Sequence, residues 1–251
     1  MAEYNFNAPR LHVESALAAG MRFSLDRAQA NYLLNVLRLR EGASVLVFNG
    51  RDGEWRAAVS AEGRKAADLV CMDQTRPQTP QPDLHYLFAP LKHARLDYMV
   101  QKAVEMGAGL LQPVITQRTQ SARVNLERMR ANAIEAAEQC GILTVPDVMA
   151  EIDFHKAING LGNDRLVVFC DEDAVSDSPV DLLSSLGNRG NSLAVIVGPE
   201  GGFTATERAL VAAHANCIRV SLGPRILRAD TAAVAALALV QATVGDWRDR
   251  R

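Results

Sequence analysis

Five short apolar runs constrain this chain more than any other feature: residues 85–88, Leu110–Ile115, Leu166–Cys170, Leu193–Val197 and residues 217–221. A strand that is apolar at nearly every position has no face to offer water, so both of its faces must be covered. Runs of this length that alternate with stretches of helical spacing predict parallel strands joined by crossover helices, that is, an α/β domain. The helices expected between them span residues 96–106, ending at Gly107, and residues 125–140, ending at Gly141, since glycine is the usual residue just past a helix end. Thr204, Ala205, Thr206 and Glu207 form a capping box that opens a helix to about His214. Residues 231–244 are so rich in Ala, Val and Leu that a helix there should be buried nearly all round, as in a core or a subunit interface.

The first third of the chain has a different rhythm. Three prolines fall within the seven residues from Arg76 to Pro82, with no apolar side chain beside them, which excludes a helix or a strand interior and marks a linker. Before it, alternation in residues 44–48, the turn signal Asn49-Gly50-Arg51-Asp52-Gly53, and further short strand patterns at residues 55–59 and 67–72 predict a small β-rich domain over residues 1–75. Asp26 offers an N-cap for one helix, with Ala30, Leu33, Leu34 and Leu37 at helical spacing and an end before Gly42. The α/β domain is expected over residues 83–251.

With 48% hydrophobic residues, 22% charged residues and a formal charge of −2, the chain has the composition of a soluble globular protein rather than a disordered or membrane-spanning one. Its N-terminus lacks the apolar run of a signal peptide, so a cytoplasmic location is expected. Cys71, Cys140, Cys170 and Cys217 stand apart, without metal-ligand spacing, and are expected to be reduced, with neither zinc nor disulfide. Between Lys92 and Arg130 seven basic residues meet three acidic ones, a candidate phosphate-facing surface. Arginine outnumbers lysine 23 to 4, a bias that either phosphate recognition or a GC-rich genome would produce.

In an open parallel sheet ligands bind at the carboxyl ends of the strands. Three loops qualify: Asp171-Glu172-Asp173, the glycine-rich Gly198-Pro199-Glu200-Gly201-Gly202, and Leu222-Gly223-Pro224-Arg225-Ile226-Leu227-Arg228. The glycine-rich loop is either an ordinary strand-to-helix turn or a surface cleared so that backbone groups can meet a ligand. The chain has no Gly-x-x-x-x-Gly-Lys-Ser/Thr phosphate loop, no Gly-x-Gly-x-x-Gly fingerprint and no Gly-x-Ser-x-Gly nucleophile elbow. No loop sets a Ser or Cys beside a plausible base, so covalent catalysis has no candidate.

The segments Ala194-Val195-Ile196-Val197-Gly198-Pro199-Glu200-Gly201-Gly202-Phe203 and Val220-Ser221-Leu222-Gly223-Pro224-Arg225-Ile226-Leu227-Arg228-Ala229-Asp230-Thr231-Ala232 closely resemble the bacterial ribosomal RNA small subunit methyltransferase E family. The likeness continues through Pro9-Arg10, Val36-Leu37-Arg38-Leu39-Arg40-Glu41-Gly42, Phe48-Asn49-Gly50, Gln101-Lys102-Ala103-Val104-Glu105-Met106-Gly107 and Glu135-Ala136-Ala137-Glu138-Gln139-Cys140-Gly141, nearly the whole chain. It departs from the family pattern at Asn31, Ile142 and Asp230.

This resemblance implies an N-terminal PUA-like β-barrel and a C-terminal SPOUT-type parallel sheet with a trefoil knot at about residues 166–231, in a homodimer. It implies methylation of N3 of uridine 1498 in the 16S rRNA of the small ribosomal subunit, with S-adenosyl-L-methionine as cofactor and no metal. By position, Cys170, Glu172, Gly198, Pro199, Glu200, Gly201, Gly202, Leu222, Gly223, Ile226, Leu227 and Thr231 would hold the cofactor. Arg225 and Arg228 are the candidate catalytic donors to the target base or its phosphate, unless one of them only pairs with Glu200 or Asp230. For the departing proton, Glu200, Asp230 and solvent all stay open. Arg10, Arg22, Arg38, Arg40, Lys92, Arg118 and Arg123 are the candidate RNA contacts. Two rival readings are a different RNA base as target and a non-catalytic RNA-binding assembly factor.

Overall fold

The computed structural model describes residues 8–61, 66–92, 94–120, 123–174, 178–187 and 192–248. The chain divides into two compact units, Met1–Pro80 with Ala137–Val145, and Gln81–Ala136 with Pro146–Arg251.

In the first unit β1 (Arg10–His12), β2 (Arg22–Ser24), β3 (Ser44–Phe48), β4 (Glu54–Ala61) and β5 (Ala67–Arg76) form one sheet in the order β1-β3-β4-β5-β2. β1 runs parallel to β3, and the other neighbours are antiparallel. Two register shifts between β4 and β5 curl the sheet. Its inner face carries Val45, Val47, Ala57, Val59 and Leu69, packed with Leu11, Val13 and Leu33. The Asn-Gly turn closes as its letters predict: the Asn49 side-chain oxygen accepts from the amides of Arg51 and Asp52 at 3.1 and 2.9 Å.

Asp26 caps α1 (Arg27–Asn31), accepting from the Gln29 amide at 2.8 Å. The α-helix expected to run on past Leu34 is replaced by one wide turn, Tyr32–Val36, closed by the Leu37 amide on the Tyr32 carbonyl at 2.9 Å. Leu33 is fully buried, and Tyr32, Leu34 and Leu37 pack around the same core. Arg38 follows with φ 57.

Arg10 overturns an expectation. Read as an RNA contact, it is only 6% exposed and its Nε lies 3.2 Å from Glu54, which is itself buried. Arg76 also holds that carboxylate, at 2.6 Å, and Thr75 donates to it at 2.8 Å. Burial alone would raise the Glu54 pKa, but the hydrogen bonds of Arg76 and Thr75 and the two positive charges hold it below the ordinary carboxylate value. Arg10 is therefore one member of an internal ion cluster, since a buried carboxylate needs paired cations.

The second unit contains β6 (Leu84–Phe88), α2 (Ala94–Glu105), β7 (Leu110–Ile115), α3 (Leu126–Cys140, whose last turn belongs to the first unit), β8 (Asp147–Val148), β9 (Ile152–Asp153), α4 (Phe154–Asn159), β10 (Leu166–Cys170), α5 (Pro179–Ser184), β11 (Leu193–Val197), α6 (Ala205–Ala212), β12 (Cys217–Val220) and α7 (Ala229–Thr243). The sheet order is β12-β10-β11-β6-β7-β8, with β9 beside β7, and every pairing is parallel. One face, with Leu87, Val167, Phe169, Ala194 and Ile196, packs against Phe154, Ile158, Phe203 and Val211. α7 lies against β10 and β11. It is buried along Ala233, Ala236, Leu237 and Val240, whereas Thr231 and Ala242 are exposed, so it is less enclosed than its composition predicts. No helix among the described residues is long and apolar enough to cross a membrane.

Candidate functional site

β11 and β12 flank β10 on opposite sides, so the three loops that leave their carboxyl ends converge, the position at which parallel sheets bind ligands. In the glycine-rich loop the Gly202 amide donates to the Pro199 carbonyl at 2.9 Å, and Gly202 takes φ +67. A Cβ on Gly202 would overlap the Glu172 carboxylate, and one on Gly198 would overlap the Phe203 ring. At Gly223, with φ +102, nothing crowds a Cβ, and the glycine is there for its dihedral. Thr204 and Glu207 form the expected capping box on α6, and the buried Glu207 also accepts from the Gln117 amide at 2.8 Å.

The loop after β10 is held by two arginines that sequence reading passed over. The buried Asp171 carboxylate accepts from Arg208 Nε at 2.9 Å and from Arg219 at 3.0 and 2.6 Å. Arg208 also pairs with Glu172 at 2.6 Å and with Asp173 at 3.0 Å. Burial would raise the Asp171 pKa, yet the bonds from Arg219, the Asp173 amide and Arg208 bring it below the ordinary value. Burial, reinforced by the Asp171 charge, pushes the neighbouring Cys170 thiol up to about 12, so it stays neutral and is no nucleophile. The Tyr86 hydroxyl on β6 is fully buried without a hydrogen-bond partner among the described residues. Burial, and then the nearby Cys170 and Asp230, raise its pKa well above the ordinary value, so it remains a donor.

A cavity of about 360 Å3 adjoins the glycine-rich loop, lined by Pro90, Lys92, Arg95, Gln120, Pro199 and Glu200 among others. Arg95 pairs with Glu200, which removes Glu200 as a partner expected for Arg225 or Arg228. The Asp230 carboxylate accepts from the Thr231 amide at 2.9 Å. Arg225 and Arg228 are exposed, and neither side chain makes a hydrogen bond or ion pair among the described residues. Leu222 and Leu227 are half-buried, and the Ile226 side chain is fully exposed.

The basic stretch is less open than its charge count implies. Arg128 binds Asp97 at 2.9 Å, Lys102 binds Glu105 at 2.7 Å, and Arg95 is held by Glu200. Arg118, expected on a phosphate, donates to the Gly201 carbonyl at 2.6 Å and so braces the glycine-rich loop. Lys92 lines the cavity, and Arg123 is exposed. In the first unit Arg38 and Arg40 are exposed, and Arg22, also exposed, meets Asp68 at 3.4 Å. Arg208, Arg219 and Arg95 hold the loops of the candidate site and were not among its candidate residues. Only Arg95 carried a signal, its place in the basic stretch.

Comparison with known proteins agrees with this geometry. Residues 77–241 match the family model of the RNA methyltransferase domain, and residues 25–70 match that of the RNA methyltransferase PUA domain. A ribosomal RNA small subunit methyltransferase E from Rickettsia conorii is 32% identical, over 92% of this chain and 94% of its own. One from Synechocystis is 33% identical, over 87% and 72%. The crystal structure of a ribosomal RNA small subunit methyltransferase E from Neisseria gonorrhoeae bound to S-adenosyl methionine superposes with a TM-score of 0.82 at 29% identity, covering 96% of this chain and 100% of that one. With one curled sheet and one parallel sheet, three convergent loops and these relatives, the chain belongs to the ribosomal RNA small subunit methyltransferase E family.

Proposed function

We propose that this chain methylates N3 of uridine 1498 in the 16S rRNA of the small ribosomal subunit, with S-adenosyl-L-methionine as methyl donor. The observation that carries the reading is the set of three converging loops, two of them turning on glycines, beside a cavity with Lys92 and Arg95 in its wall. The residues present fit the cofactor: Gly198, Pro199, Glu200, Gly201 and Gly202 make a tight backbone turn at the carboxyl end of β11, Gly223 leaves open space in the loop after β12, and the Tyr86 hydroxyl on β6 is a buried donor without a partner among the described residues. Cys170, Glu172, Leu222, Gly223, Ile226, Leu227 and Thr231 complete that set in this reading. When bound, the cofactor supplies a methyl group on a sulfonium with a good leaving group, and no metal is needed.

The work left to the chain is positioning, which contributes roughly 7 to 11 kcal/mol in well-oriented reactions. Loss of the uracil N3 proton spreads negative charge onto the flanking carbonyl oxygens. Arg225 and Arg228, exposed and without partners among the described residues, are the donors to those oxygens or to the adjacent phosphate. Glu200 is engaged by Arg95, which leaves solvent or Asp230 to take the proton. The base must be unstacked and unpaired for N3 to be reached.

In the same reading residues 1–75 form a PUA-like RNA-binding barrel and residues 83–251 a SPOUT domain. The loop after β12 threads behind the glycine-rich loop to close a trefoil knot over about residues 166–231, and β12 pairing on the far side of β10 supports it. The protein acts as a cytoplasmic homodimer. Mass mapping of 16S rRNA from a deletion strain tests the assignment: loss of N3-methyluridine at 1498 is expected, and its persistence would sink it. Calorimetry with S-adenosyl-L-methionine separates this reading from a non-catalytic RNA-binding factor: binding is expected, and no detectable binding by the folded protein would sink the enzyme reading.

A further inference from the structure

The first unit holds a cavity of its own, of about 310 Å3, in the size range of small-ligand sites. Leu37 and Leu39 supply apolar wall, Tyr32 an aromatic face, and Arg10, Glu138 and Gln139 polar edges. Those edges are already set by the fold: Glu54 holds Arg10, and Glu138 accepts from the His12 amide at 2.8 Å. Both charged edges are thus engaged by the fold. Further positive charge follows along the chain, with Arg38 in sequence between the wall residues Leu37 and Leu39 and Arg40 directly after Leu39. Both are exposed, and neither side chain has a hydrogen bond or ion pair among the described residues.

The backbone at Arg38 points the same way. Among the described residues nine glycines take positive φ, and Arg38, at φ 57, is the one non-glycine residue that does. The left-handed conformation is unfavourable for any residue with a Cβ. A glycine would hold this turn more easily, so the turn itself gives no reason for an arginine. Strain retained at a position that borders a cavity is a mark of function. The wide turn Tyr32–Val36, a form common at functional sites, leads into it.

We propose that this cavity binds one unstacked nucleotide of single-stranded RNA, its base against Tyr32 and the two leucines and its phosphate on Arg38 and Arg40. The proposal rests on the reading of RNA as the substrate, and it concerns a nucleotide other than the one methylated, because the cavity lies wholly within the first unit. Stacking on an aromatic face tolerates any base, so the site anchors RNA with little sequence preference.

Fluorescence anisotropy of the full-length protein with a labelled single-stranded RNA of about 12 nucleotides, within the usual footprint of such sites, tests it. Tyr32→Leu, which keeps the apolar packing, is expected to weaken binding about 10-fold through lost stacking. Arg38→Gly is expected to weaken it several-fold and to lower the salt slope by about 1, while the melting temperature holds or rises. Calorimetric affinity for S-adenosyl-L-methionine stays unchanged in both variants. RNA binding equal to that of the unaltered protein in both variants would overturn the pocket and leave the methyltransferase reading intact. A lower melting temperature for Arg38→Gly would also overturn it, by giving the arginine a structural role. Absence of RNA binding by the unaltered protein would overturn the pocket, while the RNA-substrate reading stands or falls on the mass mapping of 16S rRNA.

Discussion

The loop after β10 and the loop after β12 enter the same site in opposite states. Asp171, Glu172 and Asp173 are fastened by Arg208, with Arg219 as a second clamp on Asp171. Residues 222–228 carry two exposed arginines without partners among the described residues and an isoleucine side chain open to solvent. The first loop has spent its charge on the fold, whereas the second keeps its charge available. Preorganised groups suit a ligand that must be held in one geometry, and uncommitted cations suit an anionic substrate that arrives later.

The largest expected effect breaks the fastened loop. Asp171→Ala removes the buried acceptor shared by Arg208 and Arg219; Arg208 keeps Glu172 and Asp173 and Arg219 is partly exposed, so the cost is that of hydrogen bonds to a charged group, about 1.5 to 3 kcal/mol. Urea unfolding should show a loss of that order, and a change under about 0.5 kcal/mol, the usual size for a surface substitution, would mean the clamp contributes nothing. The same contact sets an acid limit. Because the folded Asp171 pKa is depressed, its contribution is complete above the ordinary carboxylate pKa and disappears as pH falls through the folded value. Asp171→Asn should flatten that acid limb of the stability curve measured by thermal melts.

The next effect belongs to the open loop. Arg228→Ala should lower kcat by 100-fold or more, as removal of a preorganised donor does, with melting temperature and cofactor affinity unchanged. Turnover at the original rate in single-turnover assays would remove Arg228 from the mechanism. A double-mutant cycle then sharpens the contrast between the glycines. Gly202→Ala must displace Glu172 as well as strain the backbone, whereas Gly223→Ala only strains it, by about 1 to 2 kcal/mol. In a Glu172→Ala background the excess stability loss of Gly202→Ala should disappear, and an unchanged loss would show that Glu172 is not what the side chain meets. The smallest effect is expected for Ile226→Ser, within about 0.5 kcal/mol of the original stability by thermal melt, as for an exposed position.

Local chemistry made much of the architecture readable in advance. Residues 110–115, 166–170 and 193–197 are strands because they are apolar at nearly every position, and Thr204 and Asp26 begin helices because each caps the amide three residues on. β8 and β9, two residues each, are too short to show a period, and α4 spans only six. α5 did carry a signal, Ser178 as cap ahead of Pro179, that went unread. The wide turn at Tyr32–Val36 has no local signature, and its side chains Tyr32, Leu33 and Leu34 pack on a core built from distant residues.

The sequence by itself determined a β-rich part followed by an α/β part, the family, and the three loops of the candidate site, because strands, caps and glycine turns follow from neighbouring residues. Only the tertiary structure decided which charges remain free. Arg10 meets a carboxylate 44 positions away, Arg118 a carbonyl 83 positions away and Arg208 an aspartate 37 positions away. An arginine looks the same in sequence whether it braces a fold or awaits a substrate, since its partner is chosen by packing over distances that no local pattern records.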